Sequence, residues 1–120
     1  MLWSNLVNKR AIGDRKEQQA KTFLIKQGLQ VVEQNFHCRY GEIDLIMSEP
    51  LTNTLVFVEV RYRKSKKYGG AAASVTPAKQ NKIKKAALFY LSQRKIECNI
   101  RFDVIAFEQE QLNWHQSAFT

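Results

Sequence analysis

A chain of 120 residues with 44% apolar and 25% charged side chains, only two prolines and five glycines, is sized for one domain with a genuine core; this excludes extended disorder and a pair of independent cores. Cys38 and Cys98 stand far apart with no CxxC partner and His37 and His115 complete no zinc spacing, so free thiols in a reducing, cytoplasmic setting are expected instead of a disulfide framework or a zinc site. The formal charge of +8 is concentrated: Val60 through Ile96 contains no Asp or Glu but holds Arg61, Arg63, Lys64, Lys66, Lys67, Lys79, Lys82, Lys84, Lys85, Arg94 and Lys95, 11 of the 19 basic residues, which points to an anionic polymer as partner beside the plainer alternative of a solvated face.

The opening stretch "MLWSNLVNKR" offers no basic start, no apolar run of signal length and no small-residue cleavage site, and no segment approaches the roughly 20 apolar residues of a membrane span. A soluble protein with no membrane partner is expected. Residues 1–12 read as an amino-terminal arm, with Trp3 and Leu6 placed to dock on the body. Asp14 then offers an N-cap with Glu17 in the capping-box position, and Gly28 supplies a stop. The spacing of Ala20, Phe23, Leu24 and Gln27 predicts the first helix between them.

"LQVVEQNFHC", from Leu29, is rich in strand formers and predicts the first strand. "GEIDLI" (Gly41–Ile46) and "LVFVEVRYR" (Leu55–Arg63) read as two half-buried strands, separated by "SEPLTNT", whose Pro50 and Asn53 suit a hairpin loop. The three strands make an antiparallel meander. After the basic "RYRKSKKYGG", Thr76 can cap a second helix with Pro77 in its first position, running to about Lys95 and burying Ile83, Ala86, Ala87, Tyr90 and Leu91. "IRFDVIAFE" (Ile100–Glu108) is the last predicted strand, and residues 109–120 are taken as a carboxyl-terminal tail. The order is αβββαβ, an α+β domain over residues 13–108.

Each of the two quoted strands sets an acid among apolar residues. If the hairpin closes symmetrically about Leu51 and Thr52, Asp44 opposes Glu59 and Glu42 opposes Arg61. A cross-strand ion pair accounts for the second pairing. The first is costly, since carboxylates about 5 Å apart repel by roughly 3 kcal/mol at an effective dielectric near 20. A shared proton, a nearby Lys or Arg, or a divalent cation would offset that repulsion. The plain alternative is two separately solvated carboxylates at a sheet edge. Glu17 adds a third acid on the side of the first helix that faces the core, although a capping role alone accounts for it. Two or three carboxylates beside a basic strip describe a site able to hold Mg²⁺ or Mn²⁺ against a phosphodiester.

An acid on the first helix, then "GEID" on a strand, "FVEVRYR" on its neighbour and "RFDV" beyond, resembles the PD-(D/E)XK nuclease superfamily. Within it the chain is most similar to the small bacterial YraN family, related to archaeal Holliday junction resolvases, over about Gly13 to Phe107. The resemblance implies a restriction-endonuclease-like core, a mixed sheet flanked by helices. It implies Asp44 and Glu59 as metal-binding acids, Glu17 as the helix acid that completes the site, and branched DNA among the substrates. Arg61 stands where the superfamily usually has lysine; it can clamp a phosphate, but a guanidinium stays charged and cannot be a general base.

The expected function is therefore a Mg²⁺- or Mn²⁺-dependent DNA endonuclease. Glu17, Asp44, Glu59 and Arg61 form its catalytic set, and Arg61, Arg63, Lys64, Lys66, Lys67, Lys79 and Lys82 bind the nucleic acid. Lys79 could also assist the chemistry that Arg61 cannot perform, while a solvated helix face explains Lys82 equally well. Tyr62 and Tyr68 could stack on bases, or Tyr62 could simply pack on the sheet. Asp103 shares a strand face with Arg101 and reads as an ion-pair partner or a sheet-edge contact in preference to a metal ligand. The alternative is a non-catalytic module binding DNA or RNA on the same fold; a weaker one is a basic face for an acidic protein. Resolving a junction takes two cuts, so a homodimer is expected if that is the substrate.

Overall fold

The spacing of Ala20, Phe23 and Leu24 does mark a helix, but the helix begins well before the predicted cap. In the computed structural model, which describes residues 2–63, 70–109 and 111–120, α1 spans Leu2–Lys26. Asp14 and Glu17 thus lie in the helix interior, where neither caps anything. A D-x-x-E spacing is as compatible with the middle of a helix as with its start, and nothing between Leu2 and Gly13 breaks helical backbone. The stretch read as an arm is the first part of α1, and the side chains of Trp3 and Leu6 lie outside the described residues. Gly28, at φ +98°, closes the helix as expected.

Three strands follow: β1 (Gln30–Cys38), β2 (Gly41–Glu49) and β3 (Thr54–Arg63). They pair antiparallel in sequence order, as the meander required. Helix α2 (Pro77–Arg94) starts on Thr76, whose side chain accepts from the Lys79 amide, with Pro77 in its first turn. It carries the chain to β4 (Asn99–Glu108), which pairs with β3 in parallel, the geometry that demands a crossover. The stretch read as a tail forms a further strand, β5 (Gln111–Phe119), antiparallel to β4. The mixed sheet has the order β1-β2-β3-β4-β5.

Each face of the sheet buries one helix. Ala20 and Leu24 of α1 pack with Leu45, Met47, Val56, Val58, Ile105 and Phe107. On the opposite face Ile83, Ala86, Ala87 and Tyr90 of α2 pack with Ile46, Leu55, Phe57, Phe102 and Val104, and Leu91 packs at the edge of that cluster. The central strands are therefore buried on both sides, not half-buried: "LVFV" at Leu55–Val58 is a continuous apolar run because its odd and even positions serve different cores. No helix among the described residues is long and apolar enough to cross a membrane. Cys38 and Cys98 are both free.

One irregularity positions the site. In the β1–β2 ladder the position between Gln34↔Leu45 and Phe36↔Ile43 has no paired step, although the register does not shift there, and Asn35 takes φ 51°. Across that step β2 changes face: Leu45 packs in the α1-side core and Ile43 in the α2-side core. Asp44 lies between them, and its carboxylate reaches the Val60 amide of the neighbouring strand.

Candidate functional site

The β2–β3 hairpin closes in the predicted register, with Leu45↔Val58, Ile46↔Phe57 and onward to Glu49↔Thr54 about the turn at Pro50–Thr52. The paired ladder ends one residue short of Asp44 and Glu59. In place of a further main-chain bond, the Val60 amide donates to Asp44 Oδ2 at 2.8 Å. The two strands part here, and the opening takes side chains from both helical layers. Gly13, Lys16 and Glu17 of α1, Glu42 and Asp44 of β2, Glu59 to Arg63 of β3 and Lys79 of α2 line a cavity of about 210 Å³.

Its acids are close enough to govern one another's protonation. Glu59 is only 6% exposed. Burial, then a hydrogen bond to Asp44 and the Asp44 charge, push its carboxyl up to about 8, against the opposing pull of Arg61 and Lys79. Glu17 is pushed up to about 7 by partial burial and, next, by the charge of Asp44. Asp44 is thus the middle member of a trio. It is the hydrogen-bond and charge partner of both Glu17 on α1 and Glu59 on β3.

Cations offset part of this crowding. Arg61 Nη2 lies 3.1 Å and Lys79 Nζ 3.6 Å from Glu59 Oε2. The Arg61 Nε is buried with no hydrogen-bond partner among the described residues, leaving one donor of the guanidinium beside the acids. Lys16, which the sequence reading passed over, holds its ammonium 5.1 Å from the Tyr62 ring and 4.8 Å from the Phe107 ring, at the α1 wall of the same cavity. Its one legible signal was adjacency to Glu17. Tyr62 itself packs against the α1-side core.

The structure brings together Glu17, Asp44, Glu59, Arg61, Arg63 and Lys79 of the expected residues. Lys82 lies outside this cavity, on an adjoining groove. Lys64, Lys66, Lys67 and Tyr68 lie outside the described residues. The expected Glu42–Arg61 pair does not form: the ladder has already opened, so Glu42 pairs with His37 of β1 at 3.1 Å and Arg61 turns to Glu59 on its own strand.

Asp103 is the ion-pair partner expected of it. Fully buried, it accepts from Arg101 Nε and Nη2, each at 3.0 Å, from Trp114 Nε1 at 2.9 Å and from the Ser117 amide at 3.0 Å. It thereby closes the irregular step between β4 and β5, and it does not line the cavity of the acid trio.

A divalent hard ion prefers oxygen donors, and this donor set is entirely oxygen. Crowded acids with raised pKa values and one orphaned guanidinium donor are features that a cation and a bound oxyanion would relieve. Among the described residues no group of three or more ligating side chains is already converged on one point. Asp44 and Glu59 are the two carboxylates that could hold a cation between β2 and β3, with Glu17 beside Asp44.

Comparison with known proteins places this geometry in a family. Residues 16–107 match the model described as "Uncharacterised protein family UPF0102". The chain is 51% identical over 123 residues to a UPF0102 protein of Aeromonas hydrophila subsp. hydrophila, covering 98% of this chain and 92% of the relative. It is 46% identical to one of Colwellia psychrerythraea, covering 99% and 100%, and 47% identical to one of Herminiimonas arsenicoxydans, covering 92% and 87%. With the matched segment running from the helix of Glu17 through both strands of the acid trio to β4, the chain belongs to the UPF0102 (YraN) family.

Proposed function

We propose that the protein is a metal-dependent DNA endonuclease whose site is the opening between β2 and β3, with branched DNA among its substrates. The observation that carries this reading is the trio of Glu17, Asp44 and Glu59 gathered at a break in the sheet and flanked by Arg61 and Lys79. Purely structural carboxylates resemble Asp103, each lone pair satisfied; the trio instead places like charges together at a cost in stability.

Asp44 and Glu59 would hold Mg²⁺ or Mn²⁺, which when bound supplies Lewis acidity toward a phosphate oxygen. The chain's own residues do the rest. Arg61, anchored by Glu59, presents the remaining donors of its guanidinium to the phosphodiester and stabilises charge as it builds on the phosphate. Lys79, half-exposed on the α2 wall, neutralises a second oxygen. Glu17 orients Asp44 from the opposite layer. Val60 holds the other edge of the Asp44 carboxylate through its amide, so that side chain has one orientation.

The test incubates the purified protein with linear, flapped and four-way-junction DNA in Mg²⁺, Mn²⁺ or EDTA. Cleavage is expected with metal, absent in EDTA, and reduced at least about 100-fold by Asp44→Asn and Glu59→Gln. Cleavage surviving both substitutions refutes this site. A second reading, a non-catalytic DNA- or RNA-binding module, is favoured by Arg61, whose guanidinium already pairs with Glu59 where a titratable lysine would serve a nuclease better. Salt-sensitive binding with no cleavage under any condition selects that reading.

A further inference from the structure

A second concavity adjoins the acid cavity and shares two of its walls. This groove, of about 520 Å³, is lined by His37, Cys38, Gly41 and Glu42 from the β1–β2 turn and by Thr76, Ala78, Lys79, Lys82 and Ile83 of α2 with its cap. Glu42 and Lys79 belong to both spaces, so the groove opens directly onto the acids. Its volume falls inside the roughly 300–1,000 Å³ typical of small-ligand sites.

The lining is divided by chemistry. Lys79 and Lys82, one helical turn apart on a single face of α2, bring two cations to one wall. Ile83, Ala78 and Cys38 supply apolar surface. The acid in the groove, Glu42, is paired with His37 Nδ1 at 3.1 Å. Gly41 keeps the turn close to α2: a Cβ there would stand 3.4 Å from Lys82 Cβ and 3.6 Å from the Lys82 carbonyl oxygen.

We infer that the groove seats an unpaired nucleotide adjacent to the phosphodiester held at Asp44 and Glu59, so that the substrate class is DNA with single-stranded character at the reacting position. This rests on the nucleic-acid reading of the acid site. In a duplex the protein reaches phosphates from outside and bases only at their groove edges, so a paired base cannot enter a seat of this size. A concave, partly apolar seat fits a base that has left its stack, with Lys79 and Lys82 on the flanking phosphates. The cost of unstacking is smallest where a base is already unpaired, which selects such sites.

The experiment is done in EDTA, so that it reads binding and not cleavage. Fluorescence anisotropy compares a duplex bearing a three-nucleotide unpaired gap with the fully paired duplex of the same length. The wild-type protein is expected to prefer the gapped DNA by about 10-fold or more. Ala78→Leu, which adds an uncharged side chain at an exposed helical position without opposing helix formation, is expected to bring that ratio to between about 1 and 2. A ratio near 1 for the wild-type chain, or one unchanged by Ala78→Leu, overturns the inference. As a measurement free of any variant, trithymidylate is titrated into the wild-type protein and followed by amide chemical shifts. Changes at Cys38, Gly41 and Ile83 support the seat; changes confined to other elements, or none, overturn it. Failure of the metal-dependent cleavage test with this preference intact would sink the nuclease reading alone.

Discussion

Glu59 occupies a place where the interior of a sheet would ordinarily carry valine. Its folded-state value, about 8 against an ordinary 4.5, means that the native protein holds this proton more tightly than the unfolded chain does. The stability this contributes is fully present below about pH 4.5 and is lost as the pH rises through 8. In EDTA, Glu59→Gln is expected to stabilise the protein at pH 8 by about 1–3 kcal/mol and to flatten the decline of Tm between pH 5 and 8.5. Thermal unfolding across that range checks it; a variant that melts lower than wild type at pH 8 contradicts it. Glu17 titrates in the same sense nearer neutrality, its value raised to about 7. Asp44, Glu59 and Arg61 were legible because strand alternation and a symmetric hairpin put them together. Their exact union with Glu17 was not, since it depends on the change of face at Asp44.

Among the elements, β4 and β5 depend on one buried carboxylate. Asp103→Ala strips four donors of their acceptor and leaves the Arg101 guanidinium, paired otherwise with Glu49 at 3.4 Å, largely uncompensated. A loss of about 3–5 kcal/mol in urea unfolding is expected, with the Trp114 fluorescence changing in the native baseline. Gly70, at φ +79°, precedes the 3-10 turn Ala72–Ser74, and a Cβ there would collide with Glu108 Oε2. Gly70→Ala is expected to cost about 1–3 kcal/mol, of which Glu108→Ala in the same chain recovers only the steric part, because the left-handed backbone remains strained for alanine. Comparing the single and double variants by urea unfolding separates the two contributions. Strand β5 escaped the sequence reading for a related reason: in "QLNWHQSAF" the alternation lasts only through Leu112 and Trp114, and the polar stretch after it is held by pairing with β4 and by Asp103.

At the scale of the whole molecule, a charge of +8 is carried beside a site built from acids. The two signs serve different ends if DNA is the partner: the cations gather phosphate, and the acids then meet it through a metal. Arg61, Arg63, Lys79 and Lys82 lie on the adjoining cavities, so neutralising four phosphates is expected to give a slope of log affinity against log salt of about −3 to −4 on duplex DNA. Lys82→Ala is expected to reduce that slope by about one. Anisotropy titrations at several salt concentrations measure both, and a slope near zero excludes a nucleic-acid partner for this face.

Local chemistry in the sequence was sufficient for the helix cap at Thr76, the hairpin register about Leu51 and Thr52, the buried face of α2 and the suspicion attached to Asp44 and Glu59. Those features depend on neighbours a few residues apart, where periodicity and turn residues act directly. Only the tertiary structure decided that β2 turns over at Asp44, that β2 and β3 part there, and that α1 and α2, on opposite faces, both reach the gap. Such outcomes are set by which distant surfaces pack best together, a competition among many contacts that no short stretch of residues records.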